Sequence, residues 1–233
     1  MLLSDYLNDL SAGPLSGINL GNNDETGLTP YNRNKIVNYI NTGLVDIYTR
    51  FPIKSREVII RQYTAISMYH LSRKYAQTNT ESDVPYKYIE DTTAAPFTDR
   101  VLKIDRVFSG DGCEHSINKD NDCNSVFTPS VDVLQIPFSE HPNITSVIYR
   151  AAPDRLEANC DTEQEIELPM ALINALTYYV VGKVYGEKQD QISMAKSSEN
   201  LARYVESCRL VEQQGMTVSD NTDNLRLVRN DWV

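Results

Sequence analysis

Residues 167–215 read ELPMALINALTYYVVGKVYGEKQDQISMAKSSENLARYVESCRLVEQQG, and this stretch decides the fold. Pro169 suits the first turn of a helix, after which Leu172, Ile173, Leu176, Tyr179, Val180 and Val184 recur so densely that little polar face is left. Such a helix belongs in a core. Gly186 is placed to end it, and Asp190 to cap a second helix carrying Ile192, Ala195, Leu201, Val205, Cys208 and Val211 on one side, up to Gly215. With so short a turn between them, the two are expected to pack as an antiparallel αα-hairpin, apolar faces inward.

Working back towards the N-terminus, Thr29 and Pro30 open a further helix in which Ile36, Ile40, Leu44 and Ile47 keep helical spacing, with Val37 and Tyr48 beside them, until Phe51-Pro52. Its apolar face fits the hairpin. Ahead of it, Ser4 can cap a short helix over residues 5–12 that carries Leu7 and Leu10, with Leu3 before the cap and Gly13-Pro14 as the stop. Residues 15–27, rich in Gly and Asn, read as a loop.

The middle of the chain changes period. Residues 56–63 and 66–71 are rich in β-branched and aromatic side chains and are expected to form a hairpin. Residues 101–108, 131–137 and 144–150 read as further strands, from alternation such as Leu102, Ile104, Arg106, Phe108. Residues 109–124, polar and glycine-containing, are expected at an exposed loop tip. The class is therefore α+β: a helical core from residues 1–52 and 167–215, a β-rich insertion over 53–166, and an extended C-terminal arm over 216–233. That arm, MTVSDNTDNLRLVRNDWV, has no helical period but keeps Leu225, Leu227, Val228 and Trp232, too few to fold alone and suited to anchor on a partner.

At 233 residues the chain can build a core without staples, and its four cysteines (Cys113, Cys123, Cys160, Cys208) at irregular spacing read as free thiols in a reducing compartment. The N-terminal MLLSDYLNDLSAGP has acids where a signal peptide is basic, and no stretch has the ~20 apolar residues of a membrane span. The expected place is the cytoplasm. A net charge of -10 disfavours nucleic-acid binding over the whole surface. The charge is uneven: between Tyr31 and Thr80, Arg33, Lys35, Arg50, Lys54, Arg56, Arg61, Arg73 and Lys74 stand against only Asp46 and Glu57. Asp154, Glu157, Asp161, Glu163, Glu165 and Glu167, by contrast, face only Arg155.

The candidate chemistry is sparse. There is no phosphate-binding glycine loop, HExxH, CxxC pair or nucleophile elbow, and a triad has only His70, His115 and His141 to draw on. Cys113, His115 and Cys123 offer three zinc-type ligands in one loop, but Cys-x-His followed by a long gap is not a structural-zinc spacing, and incidental thiols or a local disulfide account for them as well. The acids of 154–167 can include a pair for glycoside hydrolysis, although a run of acids is more simply a solvated face. Neither a cofactor nor a metal is called for. Fourteen tyrosines outnumber five Phe and one Trp; Tyr31, Tyr39, Tyr48, Tyr63, Tyr69, Tyr75, Tyr86 and Tyr88 lie in segments of mixed polarity, which suits interfaces or half-buried strands.

Three stretches carry a resemblance to a known family: LSDYLNDLSAGPLSGINLG with LVDIYTRFPIKSREVII; SVFTPSVDVLQIP with VIYRAAP; and IELPMALINALTYYVVGKVYG with SSENLARYVESCRLVEQQG. In this order they resemble the head-to-tail adaptor (connector) proteins of short-tailed bacteriophages, over most of the chain. The resemblance implies a helical core with a β insertion, a homo-oligomeric ring matching the twelvefold portal protein, tail tube or nozzle proteins below it, and a C-terminal arm reaching a neighbour or the portal. It also implies double-stranded DNA passing through without specific binding, no membrane partner, and a place at the head-tail junction of the virion after assembly in the host cytoplasm. Competing readings are a tail-tube or tail-completion subunit, a virion-associated peptidoglycan hydrolase, and a nucleic-acid-binding assembly factor resting on the basic 31–80 segment.

Overall fold

A computed structural model describes residues 1–16, 18, 29–98, 100–139, 142–158 and 163–214. Among them are four α-helices and two antiparallel sheets, an α+β fold. The described chain divides into two units, one from residues 1–53 and 153–214 and one from Lys54–Ala152.

The first unit is helical. Helix α1 (Leu3–Ala12) buries Leu3, Tyr6, Leu7 and Leu10 at one-face spacing. It begins two residues earlier than expected: Ser4 lies inside it and no side chain caps it. A short antiparallel bridge does that job, with Leu3 N–H donating to the Gln164 carbonyl and Ile166 N–H to the Met1 carbonyl, both at 2.8 Å. Of the expected loop, 17 and 19–27 lie outside the described residues, while Leu15 and Ile18 are buried anchors.

Helix α2 (Pro30–Arg50) starts as expected, the Thr29 hydroxyl accepting from Asn32 N–H at 3.3 Å, and ends at Phe51. Ile36, Ile40, Leu44 and Ile47 are all buried. Helix α3 (Met170–Gly186) packs against both α2 and α4 (Gln191–Gln213), and Asp190 caps α4 by accepting from Ser193 N–H at 2.8 Å. Two glycines set the closeness. A Cβ at Gly43 would stand 2.8 Å from Leu176 and from Tyr179, and one at Gly182 would stand 2.9 Å from Leu201.

That closeness corrects the expected face of α4. The side turned inward carries Ser193, Ser197, Tyr204, Cys208 and Val211, whereas Ile192, Ala195 and Val205 are exposed and Leu201 is half-buried. A Cβ at Gly186 would stand 3.0 Å from the Ser197 hydroxyl, which donates to the Gly182 carbonyl at 2.8 Å.

Residues 153–158 and 163–168 also belong to the helical unit, although the β-rich insertion was expected to run to 166. Leu156 and Ile166 are buried. The Asn41 side chain on α2 imitates a strand edge, giving to and accepting from the Leu156 backbone at 2.9 Å each way.

The second unit holds a four-stranded sheet in the order β3-β1-β7-β4 and a three-stranded sheet in the order β2-β6-β5. The strands are β1 (Ser55–Arg61), β2 (Met68–His70), β3 (Ile89–Glu90), β4 (Val101–Ser109), β5 (Phe127–Ser130), β6 (Val133–Gln135) and β7 (Ile144–Ala151). β1 and β2 do form where two strands were expected, but they do not pair as a hairpin. Both edges of β1 are taken, by β7 along its length and by β3 at Ile59 and Ile60, so β2 joins β6 in the other sheet. β5 was not among the expected strands; its Pro129 is tolerated because β5 is an edge strand. Val58, Ile60, Tyr69, Leu71, Tyr88, Ile104, Val107, Leu134, Val147 and Tyr149 belong to a single core.

Candidate functional site

Part of the acidic stretch lines a cleft. Asp154, Glu165 and Glu167 line a cavity of about 230 Å³ in the helical unit, with Arg155, Leu44 and Tyr48. Tyr48 is 2% exposed, and its hydroxyl donates to the Glu167 backbone carbonyl. Burial, reinforced by the negative charges of Glu167 and Asp154, pushes that hydroxyl up to about 12. It stays protonated and acts as a fixed donor tying α2 to the chain leading into α3. Glu165 is 70% exposed on its side chain, as a solvated acid should be. Asp161 lies outside the described residues.

The cysteine loop of the β unit is held by its own backbone. Ser109 N–H donates to the Cys113 carbonyl and Val126 N–H to the Ser116 carbonyl, both at 2.9 Å, and Asn118 turns with a positive φ of 56°. Cys113, His115 and Cys123 line one surface cavity of about 810 Å³, and both thiols are free and exposed. The His115 ring uses Nδ1 on the Asn124 carbonyl, 2.9 Å away. No three His, Cys, Asp or Glu side chains among the described residues are placed to hold a metal ion. Cys208 is a free buried thiol, while Cys160 and His141 lie outside the described residues.

The tyrosines divide by role. Tyr48, Tyr69 and Tyr88 are core, Tyr39, Tyr63 and Tyr75 are half-buried, and Tyr31 and Tyr86 are exposed. In the β unit the Tyr88 ring stacks on Tyr75 at 4.8 Å and meets Tyr69 edge-on at 5.0 Å, and exposed His70 stacks on Tyr75 at 5.9 Å. The Tyr88 hydroxyl accepts from His70 N–H at 2.7 Å and donates to the His70 carbonyl at 3.1 Å, closing the outer edge of β2 where a further strand would bind.

The basic residues of 31–80 are shared between the units. Arg33, Lys35 and Arg50 lie in the helical unit; Lys54, Arg56, Arg61, Arg73 and Lys74 lie in the β unit. Lys35 pairs with Glu187, Arg61 pairs with Glu90 at 2.7 Å, and the Arg50 guanidinium lies 5.9 Å from the Tyr204 ring centre. The two ion pairs offset charge that phosphate would need, whereas the ring contact leaves Arg50 charged.

No protein-family model matches the chain, and no curated protein matches it either. The arm residues Leu225, Leu227, Val228 and Trp232 lie outside the described residues. No helix among the described residues is long and apolar enough to cross a membrane.

Two organising groups escaped the sequence reading. Asp91 accepts from Thr78 N–H and Phe97 N–H at 2.9 Å each, joining three segments, and nothing in its neighbourhood marks it out from other loop acids. The exposed apolar side chains of α4 were assigned to the core because hydrophobicity alone does not reveal a glycine-lined seam.

Proposed function

We propose that this chain is a structural, non-enzymatic subunit of a tailed-phage particle, a head-to-tail adaptor that forms a ring beneath the portal and lets DNA through its lumen. The observation that carries this reading is the layout: a helical unit assembled from both flanks of the chain, with a β unit between α2 and α3. That is the helical core with a β insertion that the resemblance implies. The net charge supports it as well, since a channel for DNA works best when its surface repels phosphate. In this reading twelve copies ring the portal, tail tube or nozzle proteins dock below, and Leu225, Leu227, Val228 and Trp232 anchor the arm on a neighbour or on the portal.

The test is to mix the purified chain with portal rings from the same phage genome and image the product. A twelvefold ring stacked on the portal is the expected result. Rings that stack on themselves with another symmetry indicate a tail-tube subunit, and a chain that leaves portal rings bare refutes the adaptor reading.

A further inference from the structure

Along the outer side of α4, Ile192, Lys196, Glu199, Arg203, Glu206 and Leu210 succeed one another at steps of four and three residues, so they form one row on the helix. Ile192 and Leu210 share an azimuth, about five turns apart at roughly 3.6 residues per turn. All six side chains are exposed, Ile192 at 71% and Leu210 at 43%, opposite the seam of Ser193, Ser197, Tyr204 and Cys208. The row is apolar at both ends and alternates in charge between them. Laid antiparallel on a copy of itself about its midpoint, it sets Lys196 against Glu206 of the second copy, Glu199 against Arg203, and Ile192 against Leu210. A parallel arrangement would oppose like charges at every step.

We infer that the outer face of α4 is a self-recognition surface, through which two copies of this chain pair antiparallel about a two-fold axis that crosses the row between Glu199 and Arg203. Charge selects both the occupant and the direction. Two chains of net charge -10 repel each other, yet over α4 Lys196, Arg203 and Arg209 balance Glu199, Glu206 and Glu212, so this helix adds nothing to the repulsion. Its present ion pairs, Glu199 with Arg203 and Glu206 with Arg209, both at 2.6 Å, are solvent-exposed and can exchange for intermolecular ones without burying an unpaired charge. The row is about 27 Å long. One helix pair of that length falls short of the roughly 1,200–2,000 Å² of a stable interface, so the dimer dissociates at tens of micromolar, on the order of 10–100 µM. The pairing concerns the free subunit and does not rest on the adaptor reading.

Sedimentation equilibrium on the purified full chain tests it, with two charge variants. Lys196→Glu with Arg203→Glu makes the row wholly acidic, and Glu199→Lys with Glu206→Lys makes it wholly basic. Wild type should move from 26.4 kDa at about 1 µM towards twice that mass at several hundred micromolar, and should revert to monomer in about 1 M salt, where screening acts within ~3 Å. Each variant alone should remain monomeric with wild-type helicity, while an equimolar mixture of the two should dimerise. Wild type that stays monomeric throughout overturns the inference. So does self-association of either variant at the wild-type level, a mixture that remains monomeric, or association indifferent to salt.

Discussion

Replacing Gly43 by alanine sets two effects of opposite sign against each other. Within α2, Gly→Ala should stabilise by about 1 kcal/mol, because glycine costs a helix more backbone entropy. The new methyl, however, would stand 2.8 Å from Leu176 Cδ1 and 2.8 Å from Tyr179 Cδ1, well inside contact distance. Leu176 is 0% exposed and Tyr179 9%, so neither can swing aside into solvent. Overpacking of this kind costs about 1–3 kcal/mol. The clash should win by about 1 kcal/mol, lowering the melting temperature by about 2–6 °C. The decisive measurement is a double-mutant cycle by thermal or urea unfolding. Leu176→Ala alone should cost about 2–5 kcal/mol, and in that background, where only the contact with Tyr179 remains, Gly43→Ala should cost less than in wild type, giving a coupling of about 1 kcal/mol. A Gly43→Ala variant that melts above wild type, or a cycle with no coupling, would refute the close approach of α2 and α3.

Leu172→Ala and Val180→Ala should likewise melt early, with about 2–5 kcal/mol lost for the leucine, and wild-type melting in either would place that face of α3 on the surface. Tyr88→Phe keeps the ring stack but strands the His70 N–H, while the His70 carbonyl still accepts from Ser72 N–H; unfolding should show a loss of about 1–3 kcal/mol, and an unchanged midpoint would show that water replaces the hydroxyl. Burial works against the ionised Asp91 carboxylate, but hydrogen bonds from Thr78 and Phe97 outweigh it and hold the group below its ordinary value of 3.8. Its contribution is therefore present above about pH 4 and lost as the pH falls through the lowered value, and melts from pH 6 to 2 should fall less steeply for Asp91→Asn. Native-state alkylation followed by peptide mapping should label Cys113 and Cys123 and spare Cys208, which is 0% exposed and whose thiol burial pushes up; label on Cys208 would mean that α4 opens.

The helices were legible because each carries a signal of its own. Thr29 and Asp190 cap as read, and the apolar density of α3 leaves it nowhere but a core. What could not be read was set by contacts distant in sequence. The start of α1 depends on backbone groups at 164–166, and the partner of β1 depends on Ile144–Ala151, more than 80 residues on. The buried side of α4 went astray for a subtler reason: two serines inside and an isoleucine outside contradict hydrophobicity, and the inward place of Ser197 reflects Gly186 on the facing helix and a hydrogen bond to the Gly182 carbonyl, neither of which a hydrophobic period reveals. The candidate chemistry was easier to exclude as motif than to place, since the cysteine loop and the acids before α3 are surface features whose geometry no spacing rule encodes.

Where the chain enters and leaves the β unit, Ala151 N–H donates to the Lys54 carbonyl at 2.8 Å, so the entering and departing strands run side by side. Paired residues of this kind have their Cα atoms about 5.5 Å apart. To the helices, nearly a hundred residues are therefore a single bridge no wider than a tight turn. A lineage could exchange that module wholesale by recombination at two adjacent points, or lose it to a few-residue linker, without rethreading any helix. The helices and the sheets are thus free to be inherited at different rates and from different ancestors.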